Sequence, residues 1–116
     1  MNAQDILKKN ETAVMIFTDG RGLNINKNGD GTSGVWKIGQ NAKVDKVIIY
    51  FRNREKNTNE IYLGDFVQLL PSTEKDYLDR KVVEFTNMNF AGLTDSNWNE
   101  FTNTRRGAVS PIKYIR

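Results

Sequence analysis

The chain has 116 residues and a net charge of +3, and it contains neither cysteine nor histidine. This length suits one folded domain, residues 1–116, and is too short for two ordinary ones. The missing cysteines exclude disulfides and cysteine nucleophiles, and the missing histidines exclude serine–histidine catalysis and the commonest zinc sites.

The sequence contains no signal that directs the chain to a membrane or out of the cell. Residues 1–10 lack the apolar stretch and the cleavage site of a signal peptide. No run approaches the roughly 20 apolar residues that span a bilayer. We therefore expect a cytoplasmic protein with no membrane partner.

The first half of the chain predicts two strands on either side of an irregular segment. Residues 3–9 suggest a short terminal helix that Asn2 can cap. Residues 13–17 are all apolar and predict a buried strand. The Gly, Asn and Asp residues of segment 19–34 predict a long loop or an irregular hairpin. Residues 44–52 are rich in β-branched and aromatic side chains and predict a central strand that is buried on both faces.

A second long strand is predicted to return antiparallel to the central one. It covers residues 60–70, and Gly64 stands where a bulge or bend would fall. Pro71 ends this strand because proline cannot continue a ladder of hydrogen bonds. Residues 72–79 then suggest a helical turn.

The last third of the chain predicts two further strands and a short helix. Residues 80–86 read as a strand, residues 87–93 as a loop, residues 97–101 as a capped helix and residues 109–115 as the closing strand. The sequence therefore predicts a mainly β (α+β) fold. It would be a small curved antiparallel sheet or a partly open β-barrel that carries one or two short helices.

Cationic side chains are concentrated in two stretches of the sequence. Between residues 37 and 56, six Lys and Arg residues stand against two acidic ones, and the tail beyond Thr104 has four cations and no acid. If the fold brings these stretches together, they form a positive patch that suits phosphates. The alternative is two solvated surfaces that never meet.

The order of features around the central strand resembles a known superfamily. Trp36 is followed by Asp45 at the head of a strand that ends in Tyr50, and then by a return strand, IYLGDFV, over residues 61–67. This pattern resembles the PUA-like superfamily, and within it the EVE and ASCH-type domains, from about Trp36 to Phe85. The resemblance implies a small twisted β-barrel that recognises a modified or single nucleotide in RNA or DNA.

Recognition of an exposed base requires a flat aromatic ring, a hydrogen-bonding edge and cations for the phosphate. The sequence supplies all three around one end of the central hairpin. The predicted nucleic-acid-binding residues are Trp36, Lys37, Lys43, Lys46, Tyr50, Arg52, Arg54, Tyr62, Arg105 and Arg106. The alternative interpretation is that the large aromatic residues belong to the core with their polar tips at the surface.

Two other functions are compatible with the sequence. The first is a small protein-interaction module, or an inhibitor, that acts on a nucleic-acid-handling complex. The second is a metal-dependent nuclease that uses Asp65 and the acid-x-Lys element of Asp79 and Lys81. That element is short and common, so we favour binding over catalysis, with a nucleic acid or a protein as the partner. We predict no metal site and no cofactor.

Overall fold

A computed structural model describes residues 1–38, 43–104 and 110–116. Within these ranges, seven strands form one mixed sheet that is not closed, so the predicted mainly β class is confirmed. The strands are β1 (Ala13–Thr18), β2 (Leu23–Ile25), β3 (Gly31–Trp36), β4 (Lys46–Asn53), β5 (Thr58–Pro71), β6 (Lys81–Leu93) and β7 (Ile112–Ile115). The described helical elements are α1 (Trp98–Thr102) and the 3-10 turns Ala3–Ile6 and Lys75–Tyr77. None of these is long and apolar enough to cross a membrane.

The strands lie in the order β2-β3-β6-β5-β4-β1-β7. All neighbours are antiparallel except β1 and β4, which pair in parallel from Ala13 opposite Lys46 to Thr18 opposite Phe51. This pair makes the sheet mixed, whereas the sequence suggested a purely antiparallel one. The chain leaves β1, builds β2 and β3 at the far edge and returns beside β1, and such a crossover brings two strands into parallel register.

The central strand β4 is buried on both faces, as predicted. Ile48 and Ile49 point to opposite faces of the sheet, and both are fully buried. The first core lies on the Ile49 face and contains Val14, Ile16, Val47, Ile49, Val83, Phe85, Met88 and Ile112. The second core lies on the Ile48 face and contains Ala3, Ala13, Met15, Ile48, Tyr50, Ile61 and Phe101. Helix α1 and the first 3-10 turn contribute Phe101 and Ala3 to this second core.

The loop predicted over residues 87–93 is wrong, because β6 continues to Leu93. The Asn and Gly residues that suggested a loop instead adopt irregular backbone conformations within the strand. Asn87 has a φ of 54° and Gly92 a φ of 142°. The register between β5 and β6 shifts at Gly64, where the bulge was predicted. A Cβ atom at Gly64 would lie 3.0 Å from the Thr86 carbonyl oxygen and 3.1 Å from the Met88 Cα, so the backbone of β6 leaves little room for a side chain there.

The smaller predicted elements are also present in the described ranges. Segment 19–34 contains β2 and the greater part of β3, which pair as a hairpin. Helix α1 begins after Asn97, whose side chain accepts a hydrogen bond from the Glu100 backbone N–H at 2.9 Å. The closing strand begins at Ile112, and Val109, which was predicted as its first residue, lies outside the described residues.

Candidate functional site

The predicted cationic residues fall at two separate ends of the sheet. Lys46 begins β4 and Lys43 precedes it by three residues, whereas Arg52 and Arg54 lie where β4 ends. Lys37 follows Trp36, which pairs with Lys81 at the start of β6. Arg52 is six positions after Lys46 on β4, a distance of about 20 Å. The described cations therefore do not form the single rim that the sequence suggested. Arg105 and Arg106 lie outside the described residues.

Lys46 takes part in a pair of salt bridges. Its ammonium lies 2.5 Å from the Asp65 carboxylate and 3.8 Å from that of Glu11. The hydrogen bond to Asp65 raises the pKa of Lys46, and the same carboxylate accepts a second hydrogen bond from Asn87 at 2.9 Å. Because two acids already neutralise it, Lys46 is poorly placed to bind a phosphate.

Replacing Asp65 with asparagine is expected to remove a pH-dependent part of the stability. Hydrogen bonds from Asn87 and Lys46 lower the pKa of Asp65 in the folded chain. A lowered pKa stabilises the fold above the ordinary Asp value, and this contribution is lost as the pH falls through the folded-state pKa. The pair is partly exposed, so the loss is expected to stay below about 1 kcal/mol. Urea unfolding at neutral and at acidic pH checks this, and an equal effect of D65N at both pH values would contradict it.

The three predicted site aromatics do not meet in one pocket. Trp36 and Tyr62 pack against the first core, whereas Tyr50 belongs to the second, on the other face of the sheet. The Trp36 indole donates to the Ser33 hydroxyl at 3.1 Å. The Tyr62 hydroxyl donates to the Glu60 carboxylate at 2.7 Å, and burial together with this bond raises the pKa of Tyr62 to about 12. Trp36 and Tyr62 therefore fit the alternative interpretation, in which large aromatic residues pack against the core with their polar tips at the surface.

A groove opens on the α1 face of the sheet, at the end of β4, and has a volume of about 820 Å³. Its aromatic lining consists of Phe17, Tyr50 and Trp98. Its polar lining consists of Arg52, Arg54, Asn59, Asp95, Asn97 and Glu100. The groove thus unites three predicted site residues, Tyr50, Arg52 and Arg54, with side chains from β1, β5 and the α1 region.

The aromatic lining is a compact cluster of three rings. Phe17 stacks on Tyr50 with 5.4 Å between the ring centroids, and Trp98 contacts both rings edge-on at 5.6 Å. Tyr50 is almost fully buried, and its hydroxyl donates to the Ser96 carbonyl at 2.6 Å. Tyr50 therefore supports the cluster, while the half-buried rings of Phe17 and Trp98 supply the aromatic surface that a ligand can reach.

The polar lining contains two cations, Arg52 and Arg54, which differ in their hydrogen bonds to the described residues. The Arg52 guanidinium donates to the amide oxygens of Asn59 at 3.0 Å and Asn57 at 2.5 Å. Within residues 1–38, 43–104 and 110–116, the side chains of Arg54 and Asp95 make no hydrogen bond and no salt bridge. The groove therefore offers a cation and a carboxylate beside aromatic rings. That combination suits a planar ligand with an anionic group and a hydrogen-donating edge.

Sequence reasoning assigned neither Phe17 nor Trp98 to a site. Phe17 reads as the last apolar residue of a buried strand, and Trp98 as the anchor of a short helix. Their meeting depends on the parallel pairing of β1 with β4 and on the docking of α1, neither of which has a local sequence signal. The available signal was the position of Phe17 at a strand end, next to the Asp19-Gly20 turn.

The residues suggested for a nuclease lie apart in the structure. Asp65 faces Lys46 in the middle of β5, whereas Asp79 and Lys81 lie at the far end of the β5–β6 hairpin, where Lys81 pairs with Pro71. Pro71 is six positions after Asp65 on β5, a distance of about 20 Å. In the part of the chain that the structure describes, no group of three or more acidic side chains is arranged to hold a metal ion.

The groove is thus the place where the largest number of predicted site residues meet. A function can be argued from its ring cluster, from Arg52, and from Arg54 and Asp95, whose side chains have no hydrogen-bond partner in the part of the chain that the structure describes. Comparison of the chain with protein-family models, with curated proteins and with solved structures finds no match in any of the three.

Proposed function

We propose that this chain is a nucleic-acid-binding domain that takes a single base of an unpaired strand into the groove. The observation that carries the proposal is that Arg54, whose side chain makes no hydrogen bond or salt bridge with the described residues, lines the same groove as the half-buried rings of Phe17 and Trp98. Proteins that bind single strands combine such aromatic surfaces for the bases with cations that follow the backbone.

Each part of the groove has a role in this proposal. The Phe17 and Trp98 rings are inclined at 65° to each other, so the base stacks on one of them and contacts the other edge-on. Arg54 binds the adjoining phosphate. Asp95 accepts hydrogen bonds from the base edge, because an ionised carboxylate is an acceptor only. Arg52, which the Asn57 and Asn59 amides hold in place, adds positive charge at the groove edge.

The groove is lined by two cations and two carboxylates, so its own charge is balanced. Affinity is therefore expected to depend mainly on stacking and on one or two phosphate contacts, with a shallow response to salt. The resemblance to the PUA-like superfamily supports the same proposal, since it implies the reading of a single or modified nucleotide.

Replacing Arg54 with glutamine is expected to weaken binding of a fluorescent single-stranded oligonucleotide several-fold. Each lost phosphate contact lowers the slope of log affinity against log salt by about 0.7 for a single strand. The stability should stay within about 0.5 kcal/mol of the parent, because exposed charges contribute little to folding. Titration at two salt concentrations measures both effects.

The matched control is Lys75→Gln, which removes another exposed cation, in the 3-10 turn Lys75–Tyr77, that does not line the groove. This variant should bind as the parent does. Absence of binding by the parent chain at low salt, to single strands and duplexes alike, would reject the proposal. Equal losses for R54Q and K75Q would show that binding is nonspecific and does not use the groove.

Protein interaction is a second candidate function, and one observation favours it. Phe90 and Leu93 on β6 are 57% and 56% exposed, and Phe90 packs edge-on against Tyr62 with the ring centroids 5.6 Å apart. Exposed apolar side chains that lie close together are typical of protein contacts. In this case F90S combined with L93S should abolish capture of the protein partner, and R54Q should not.

A further inference from the structure

Lys113 is a buried cation on β7 that faces helix α1. Only 7% of its surface is exposed. Its ammonium donates hydrogen bonds to the Asn99 amide oxygen and the Thr104 hydroxyl, each at 2.6 Å, and to the Thr102 hydroxyl at 3.3 Å. An ammonium has three donors, and here three acceptors use all of them.

The acceptors around Lys113 are neutral. In the described ranges, no carboxylate lies within salt-bridge distance of its ammonium, and burial lowers the pKa of this lysine. A buried charge without a counterion is costly unless hydrogen bonds replace its lost hydration. The three oxygens belong to α1 and to the residues just after it, so the ammonium links β7 to the helix.

Residues of β7 and of the segment just before it also contact the indole of Trp98. The Lys113 ammonium lies 5.1 Å from the centroid of the Trp98 ring, and the indole N–H donates to the Ser110 carbonyl at 2.8 Å. A cation over the face of a tryptophan ring attracts it. The indole is thus held at its N–H by Ser110, which precedes β7, and at its ring by Lys113 on β7.

Helix α1 has only five residues, and a helix this short is not stable without tertiary contacts. Phe101 anchors one side of it in the second core. We infer that Lys113 is a positioning residue for the groove. It fixes α1 through Asn99 and Thr102, and it holds the Trp98 ring in place as one wall of the groove. This inference rests on the proposed function for its effect on binding, but the effect on Trp98 can be measured without a ligand.

The test uses a Trp36→Phe parent, in which Trp98 is the remaining tryptophan. Lys113→Met is compared with this parent, and Lys75→Met serves as the matched control. In K113M the indole emission should shift to longer wavelength, acrylamide should quench it more strongly, and the near-ultraviolet circular dichroism should weaken. Affinity for the single-stranded oligonucleotide should fall several-fold under conditions in which far-ultraviolet circular dichroism shows a folded chain. K75M should leave every one of these quantities unchanged.

A second variant, Thr104→Val, removes one hydrogen-bond acceptor of Lys113 and keeps the lysine. It replaces K113M in the test if K113M does not fold. It should change the indole signals in the same direction and by a smaller amount. Native-like indole signals in every variant that folds would overturn the inference. If the indole signals change while the parent binds no oligonucleotide, the positioning role of Lys113 stands and the proposed function fails.

Discussion

Replacing Ile49 with alanine is expected to lower the free energy of unfolding by about 2–5 kcal/mol. Ile49 is fully buried in the first core, and β4 is covered by strands on both sides, so the cavity left by the missing atoms has little room to collapse. Ile48 is equally buried in the second core, and the same loss is expected there.

Urea unfolding measures this effect, and the denaturant slope should stay constant so that the midpoint reports stability. Val67→Ala is the control, since Val67 lies on β5 with 46% of its surface exposed. That change should cost less than about 0.5 kcal/mol. A loss below the same value at both isoleucines would mean that β4 is not the centre of the fold.

The central strand was predictable because burial on both faces leaves a signal in the sequence itself. A strand with two buried faces needs apolar side chains at consecutive positions, and residues 47–50 have them. The parallel pairing of β1 with β4 has no such signal. It depends on which strands become neighbours after a crossover, and each strand looks the same from its own residues whichever neighbour it has.

The continuation of β6 beyond Thr86 was missed for a different reason. Asn87 and Gly92 are turn residues by type, and both adopt positive φ in the structure. They do so inside a strand, where each lies beside a shift of register against β5. The residue types correctly indicated backbone conformations with positive φ at these positions. Bulges and loops use the same residue types, however, and only the pairing with β5 distinguishes a bulged strand from a loop.

Register explains which site residues came together. Tyr50 and Arg52 are two positions apart on β4 and so share a face, as the sequence indicates. The cross-strand partner of Tyr50 is Ile61, so the next residue, Tyr62, points to the other face. Tyr62 therefore lies outside the groove because it is paired with Ile49 and not with Tyr50. Phe17 and Trp98 joined it through tertiary packing alone.

Replacing Phe101 with alanine is expected to lower the free energy of unfolding by about 3–5 kcal/mol. The Phe101 ring is fully buried and packs edge-on against Tyr50 with 5.4 Å between the centroids, so it is the main apolar anchor of α1. Tyr50 also supports the groove rings, and loosening of α1 should therefore expose Trp98 as well.

Two measurements on Phe101→Ala distinguish an anchor from an ordinary core residue. Thermal unfolding gives the stability loss, and acrylamide quenching of Trp98 in the Trp36→Phe parent, well below the midpoint, reports whether α1 still covers the sheet. Phe90→Ala is the matched control, because that ring is 57% exposed and lies on the far side from α1. A stability loss with unchanged quenching would show that Trp98 keeps its place without Phe101, and that the contacts from Ser110 and Lys113 are sufficient to hold the groove wall.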